Sequence, residues 1–186
     1  MLIDKSSDEQ IVREVVNGDI ERFRIIVNRY QNHIFSIGMR FFRNEDDSDD
    51  YVQDIFLKAF NELGSYRERA PFRVWLIRIA YNYGINIVKS KKSQSLINED
   101  ELSDESTPEK SHVKDETIAI LRKAIDALPD KYRICVDLFF FTGCKYADIM
   151  EITGYPVNTI KSNVLRAKKI LRNKLRGTIA EDYHEM

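Results

Sequence analysis

Apolar positions recur at helical spacing through most of the chain. Ser7 and Gln10 stand three apart, as in a capping box, just ahead of the run Ile11 to Val16. Asp19 is placed to cap a second helix, with Phe23, Ile26, Val27, Tyr30, Ile34, Ile37 and Phe41 on its apolar face. Ser48 is placed to cap a third, with Val52, Ile55, Phe56, Ala59, Phe60 and Leu63 inward. A fourth starts near Phe72 and turns Trp75, Leu76, Ile79 and Tyr83 inward. The pattern then stops. Residues 90–115 are rich in Ser, Glu, Asp and Lys, a composition that buries too little to offset the entropy of ordering, so a flexible linker is expected. Periodicity resumes over about 114–127 and breaks before Pro129, because the residue ahead of a proline resists the α region. Further helices are expected over 130–141, 145–153 and 157–176, with a turn at Gly154–Pro156. The expected architecture is all-α: a helical domain over 1–90, a linker over 91–115 and a second helical domain over 116–186.

Composition changes this picture little. Seven Gly and four Pro in 186 residues favour long helices over a turn-rich β fold. No stretch approaches 18 uncharged apolar residues, and the start, MLIDKSSDEQ, lacks a basic segment followed by an apolar run, so a cytoplasmic protein is expected. Cys135 and Cys144 are the only cysteines and are expected to pack as reduced thiols in or near a core. His33, His112 and His184 fall at no ligand spacing from a cysteine, so neither metal nor cofactor is expected. No nucleophile–base set and no phosphate-binding loop is present, which argues against an enzyme.

Charge changes it more. The formal net charge is −1, yet residues 116–186 hold 12 basic and 9 acidic side chains. Between Lys161 and Arg176 there are seven basic residues and no acidic one. On a helix, Ile160, Val164, Ala167, Leu171 and Leu175 fall within about 80° of arc and face inward. Asn158, Lys161, Ser162, Leu165, Arg166 and Lys169 face outward. A short helix, a turn with Gly154 and this second helix make a helix-turn-helix pattern. Its second helix would enter the major groove, with Asn158, Lys161, Ser162, Leu165 and Arg166 near bases or adjacent phosphates. Lys168, Lys169, Arg172, Lys174 and Arg176 would neutralise phosphates further along. A solvated helix whose cations complement its own C-terminal dipole explains Arg172, Lys174 and Arg176, but neither the missing acids nor Leu165.

The first domain carries two further patterns. Tyr66 to Tyr83 interleaves aromatics with Arg67, Arg69, Arg73 and Arg78, as surfaces that hold single-stranded DNA do. Trp75 shares a face with Phe72, Leu76 and Ile79, which favours a core position over base stacking. After the acidic run Glu45–Asp50, the residues Asp50, Gln53, Asp54 and Leu57 share the outer side of a helix. An exposed leucine ringed by polar groups suggests a protein interface.

These segments together resemble the extracytoplasmic-function sigma factors of bacterial RNA polymerase, within the sigma-70 family. Leu128-Pro129, Gly154, Thr159-Ile160-Lys161-Ser162 and Arg166-Ala167 match the pattern of the promoter −35-binding domain. DSDDYVQDIFLKAF and APFRVWLIRIAYN are similar to the family's core-binding and −10 segments. The resemblance spans nearly all the chain except the linker and the extreme ends. It implies an alternative sigma factor that, in a stress or envelope response, directs core polymerase to specific promoters and helps melt them. It implies that Asp50, Gln53 and Asp54 meet the clamp helices of the largest polymerase subunit, that the second domain meets the flap of the second subunit, and that promoter DNA binds both domains. Thr159 joins the −35 set by its place in the motif. The loop bearing Tyr66, Arg67, Arg69 and Phe72 would capture a flipped −10 base, with Asn82 lining the pocket. A cognate anti-sigma factor, often membrane-linked, is also implied. Met150 stands in place of a small residue expected at the closest approach of two helices, and Asn163 in place of a frequent phosphate-binding arginine. The rival reading is a stand-alone helix-turn-helix regulator.

Overall fold

The computed structural model describes residues 5–95 and 112–178, and among these it holds eight α-helices and no strand. The helices are α1 (Asp8–Val16), α2 (Phe23–Phe42), α3 (Glu45–Glu62), α4 (Phe72–Ser95), α5 (His112–Asp126), α6 (Asp130–Val136), α7 (Tyr146–Thr153) and α8 (Val157–Leu175). Contacts divide the chain into two compact units, the first carrying α1–α4 and the second built on α5, α6, the start of α7 and α8. Most of the stretch expected to be a linker, residues 96–111, lies outside the described residues. At its edges the helices run further than composition suggested, to Ser95 and from His112.

In the first unit α2 packs along α3, and α4 lies against both, with α1 closing one side. The core is made of Ile11, Val12 and Val15 from α1, Ile26, Ile34 and Ile37 from α2, and Ile55, Phe56 and Ala59 from α3. Phe72, Val74, Leu76, Ile77, Ala80 and Tyr81 add α4, which is buried around much of its girth. Ser7 caps α1 as expected, its hydroxyl accepting from the Gln10 N–H. The reciprocal half of the capping box is not formed, and the Gln10 NH2 donates to Glu14.

Two other expected caps are corrected. Asp19 makes no side-chain cap; the chain turns at Gly18 (φ +112°) and passes through one 3₁₀ turn, Ile20–Arg22, before α2 begins. Ser48 does not open α3. Asn44 does, its side chain accepting from the Asp47 N–H at 2.9 Å, with Glu45, Asp46 and Asp47 set against the positive end of the helix. Ser48 lies one turn in, fully buried, its hydroxyl donating to the Asn44 carbonyl. Its small size answers Gly38 on α2, where an added Cβ would come within 3.2 Å of the Ser48 Cα and 3.0 Å of the Tyr51 ring. Phe60, expected inward, is only partly covered and stacks edge-on against Phe23.

In the second unit, α8 is the central helix. Ala124 of α5 packs with Leu175, joined by Ile120, Leu121 and Leu171. Leu128 and Val136 pack on Ala167, joined by Tyr132 and Ile170. Beyond α6 the chain makes one wide turn, Asp137–Phe141, closed by the Thr142 N–H on the Asp137 carbonyl. This turn sets Phe139 flat against Tyr146 at 4.9 Å between ring centres. Cys135 and Cys144 are buried and form no disulfide. Burial pushes the Cys135 thiol up, and the Asn163 amide beside it pulls the other way.

Candidate nucleic-acid interface

α7 ends where Gly154 turns left-handed (φ +73°), its N–H bonding back to the Met150 carbonyl at 2.8 Å. Pro156 then opens α8, its carbonyl accepting from the Ile160 N–H. The turn thus has the helix-turn-helix form, and α8 is divided as its periodicity predicted. Ile160, Val164, Ala167 and Leu175 are buried, whereas Asn158, Thr159, Lys161, Leu165, Arg166, Lys168, Lys169 and Arg172 are exposed and Ser162 is half-buried. Leu165 is 70% exposed, an apolar side chain held open amid polar ones. Two of the cations are seated on rings: the Lys161 ammonium lies 5.8 Å from the Tyr146 ring centre and that of Lys168 lies 4.9 Å from the Phe140 ring centre.

Two expectations about this unit fail. Met150 is 37% exposed, so its bulk does not load a tight helix contact; the buried member at this point is Ile149. Asn163 is 5% exposed and points inward, its amide 3.7 Å from the Cys135 sulfur. An inward side chain has no phosphate contact to lose. The structure also adds Lys131 and Tyr155, which line one shallow groove with Asn158, Thr159, Ser162 and Arg166. Lys131 is 35 residues from Arg166, and nothing in the local pattern announces that they share a groove.

In the first unit, Tyr66, Arg67 and Arg69 lie in the loop between the short 3₁₀ turn after α3 and the start of α4. The Tyr66 hydroxyl donates to the Ala70 carbonyl at 2.8 Å, and Arg67 donates to the Gly64 carbonyl at 2.6 Å. Burial, with the carboxylates of Glu9 and Glu68 nearby, pushes the Tyr66 phenol up to about 12. Phe72 does not belong to this surface. It is 0% exposed, because the first turn of α4 must cover the core end near Tyr30 and Tyr66, and it has no face to offer a base. Trp75 is half-buried and packs on Tyr66 and Phe72. Trp75, Arg78 and Asn82 follow one another at helical spacing along one stripe of α4, with Arg78 and Asn82 exposed. Arg73 lies apart from that stripe. It is half-buried on the side of α2, near enough to His33 to help burial push that imidazole down.

On α3, Asp50, Gln53, Asp54 and Leu57 are all exposed and share one face, and Leu57 is 62% exposed. Asp54 accepts from the Tyr83 hydroxyl of α4 at 2.7 Å, which raises the Tyr83 phenol. Tyr83 stacks on Tyr51, and Tyr51 is buried with its hydroxyl on the Ala80 carbonyl at 2.6 Å.

Among the described residues no cluster of His, Cys, Asp and Glu is arranged to hold a metal ion, and no helix is long and apolar enough to cross a membrane. The family profile of Sigma-70 region 2 matches residues 26–94, and that of Sigma-70, region 4 matches residues 118–171. The chain is 30% identical to the ECF RNA polymerase sigma-E factor of Haemophilus influenzae, over 94% of its own length and 98% of that protein. It is 29% identical to the RNA polymerase sigma-H factor of Pseudomonas aeruginosa, over 97% of its length and all of that protein. Its fold is similar to that of the sigma factor RpoE of Bartonella quintana, solved in complex with the anti-sigma factor NepR, at a TM-score of 0.70, 21% identity, and coverage of 83% of this chain and 97% of that one. It is similar also to CnrH, solved with the cytosolic domain of CnrY, at a TM-score of 0.71, 20% identity, and coverage of 91% and 97%. A helix-turn-helix ending in an acid-free basic helix, a region-2 bundle ahead of it, and relatives matched nearly end to end place this chain in the extracytoplasmic-function sigma factors of the sigma-70 family, the alternative initiation factors of bacterial RNA polymerase.

Proposed function

We propose that the two units divide promoter recognition between them. α8 reads the −35 element in the major groove, with Asn158, Thr159, Lys161, Ser162, Leu165 and Arg166 toward the bases and Lys168, Lys169 and Arg172 toward phosphates. The loop with Tyr66, Arg67 and Arg69, continued by Trp75, Arg78 and Asn82, receives the melted −10 strand. Asp50, Gln53, Asp54 and Leu57 engage the clamp helices of the largest polymerase subunit, and the second unit meets the flap of the second subunit. The chain acts in the cytoplasm with the polymerase, catalyses no reaction of its own, and is held in check by an anti-sigma factor. The anti-sigma factor NepR bound in the complex of the similar sigma factor from Bartonella quintana supports that last assignment.

The observation that carries the DNA reading is the outward face of α8: an exposed leucine between Lys161 and Arg166, on a helix presented by a left-handed glycine turn. Its test compares two substitutions in the holoenzyme, on matched and scrambled −35 elements across a salt series. Arg166→Ala is expected to lower discrimination by about 1–3 kcal/mol. Lys168→Ala is expected to weaken both complexes alike and to flatten the log–log salt slope by somewhat under one unit. Equal, sequence-independent losses for both would show that the register of α8 on DNA is wrong. Specific binding without core polymerase would favour the stand-alone regulator.

A further inference from the structure

The loop that would receive the −10 strand is tied to α1. Among the described residues only two other than glycine have positive φ, Arg43 (+59°) and Glu68 (+55°). Arg43 follows the last turn of α2, where the left-handed conformation is routine. Glu68 lies within the loop, where glycine or asparagine would adopt this backbone with less strain. From there its carboxylate reaches α1. Both oxygens accept from the Arg13 guanidinium, at 2.8 and 3.0 Å. One helical turn before Arg13, Glu9 accepts from the Phe72 N–H at 3.1 Å, an amide in the first turn of α4 that has no intrahelical partner. That bond is the main cause holding the Glu9 carboxyl below its ordinary value. Meanwhile the opposite face of α1, Ile11, Val12 and Val15, is locked in the core. The crest of the loop and its exit are thus fixed to a single buttressed helix, and the Tyr66–Ala70 bond closes the loop on itself.

We propose that Arg13, Glu68 and Glu9 are positioning residues: α1 is a frame that holds the 66–71 loop in its strand-receiving shape before DNA arrives. The inference rests on the −10 reading given above. A loop ordered in advance does not lose conformational freedom when the strand docks. Releasing it slows promoter opening while leaving core binding and −35 binding as they were. None of the three residues needs to touch DNA.

The test uses holoenzyme assembled with the full chain and follows opening of the −10 region by a fluorescent base, on a consensus and a substituted −10 element. Glu68→Gly removes the tie and relieves the backbone strain, so it is expected to leave the melting temperature unchanged or raise it while lowering opening about two- to fivefold, the range an exposed ion pair commands. It is also expected to narrow the difference between the two −10 elements. Arg13→Glu is expected to do the same, and Arg13→Glu combined with Glu68→Arg to restore most of the loss. Wild-type opening by Glu68→Gly overturns the proposal, as does a charge swap that rescues nothing. A loss that merely follows the melting temperature or core affinity overturns it as well. Arg67→Ala and Arg69→Ala serve as the second arm. If they impair opening and Glu68→Gly does not, only the frame is wrong; if they have no effect either, the −10 assignment of the loop falls and takes the frame with it.

Discussion

Truncating Leu57 to alanine asks whether the outer face of α3 is an interface or merely a solvated surface. Leu57 is 62% exposed, and Asp50, Gln53 and Asp54 surround it without covering it. Burying a whole leucine side chain is worth about 1.5–3 kcal/mol, so the exposed share offers a partner about 1–2 kcal/mol. At about 1.4 kcal/mol per tenfold, Leu57→Ala is expected to weaken core binding about 5- to 30-fold. The cost to the folded unit is smaller. Only the covered minority of the side chain is lost, about 0.5–1 kcal/mol, and alanine returns a few tenths as the better helix former. The melting temperature should fall by no more than about 4 °C. The assay is competition with labelled wild-type protein for core polymerase, with thermal melts of the same samples. Gln53→Ala and Asp54→Ala serve as neighbours expected to weaken binding at unchanged helicity. Unchanged affinity together with a fall of about 10 °C would refute the reasoning and return Leu57 to the core.

Two further substitutions probe the frame beneath these surfaces. Gly38→Ala would push a methyl to 3.0 Å from the Tyr51 ring and 3.2 Å from the Ser48 Cα, and backbone cannot swing aside; it should destabilise the chain by about 1–3 kcal/mol in chemical denaturation, and an unchanged midpoint would mean α2 and α3 have slack. Asn163→Arg restores the residue type common in the family, but at a site only 5% exposed against Cys135, so it should lower the melting temperature without tightening DNA binding; a gain in affinity at wild-type stability would show that Asn163 faces outward after all.

The helices were legible because amphipathic spacing is written locally. The inward face of α8 and the exposure of Leu57 and Leu165 follow from counting residues at 100° steps, and the structure keeps all of them. Failures cluster where the deciding partner is distant in sequence. Ser48 looks like a cap until Gly38 brings α2 against it. Phe72 looks like part of an aromatic–arginine surface until the first turn of α4 meets Tyr30 and Tyr66. The Arg13–Glu68 tie spans 55 residues, and Glu68 reads locally as one acid between two arginines. Asn163 stands where the resemblance expects a phosphate-binding arginine, yet beside the buried Val164 it turns inward.

The near-zero net charge of the chain also has a physical use. Several acids of the first unit are engaged within it: Asp8 with Arg29, Glu14 with Arg22, Glu68 with Arg13, and Glu45 to Asp47 at the start of α3. α8 carries its cations with no acid of its own, so positive charge is concentrated along this helix. In physiological salt such a field reaches only about 8 Å. A chain with net charge −1 therefore gains little long-range attraction to DNA, unlike a protein that is basic throughout. On the proposed reading, the cations act once α8 is already at the duplex, and a polymerase that grips the first unit brings it there. Local charge on a neutral body thus favours binding by the polymerase complex over binding by the free chain.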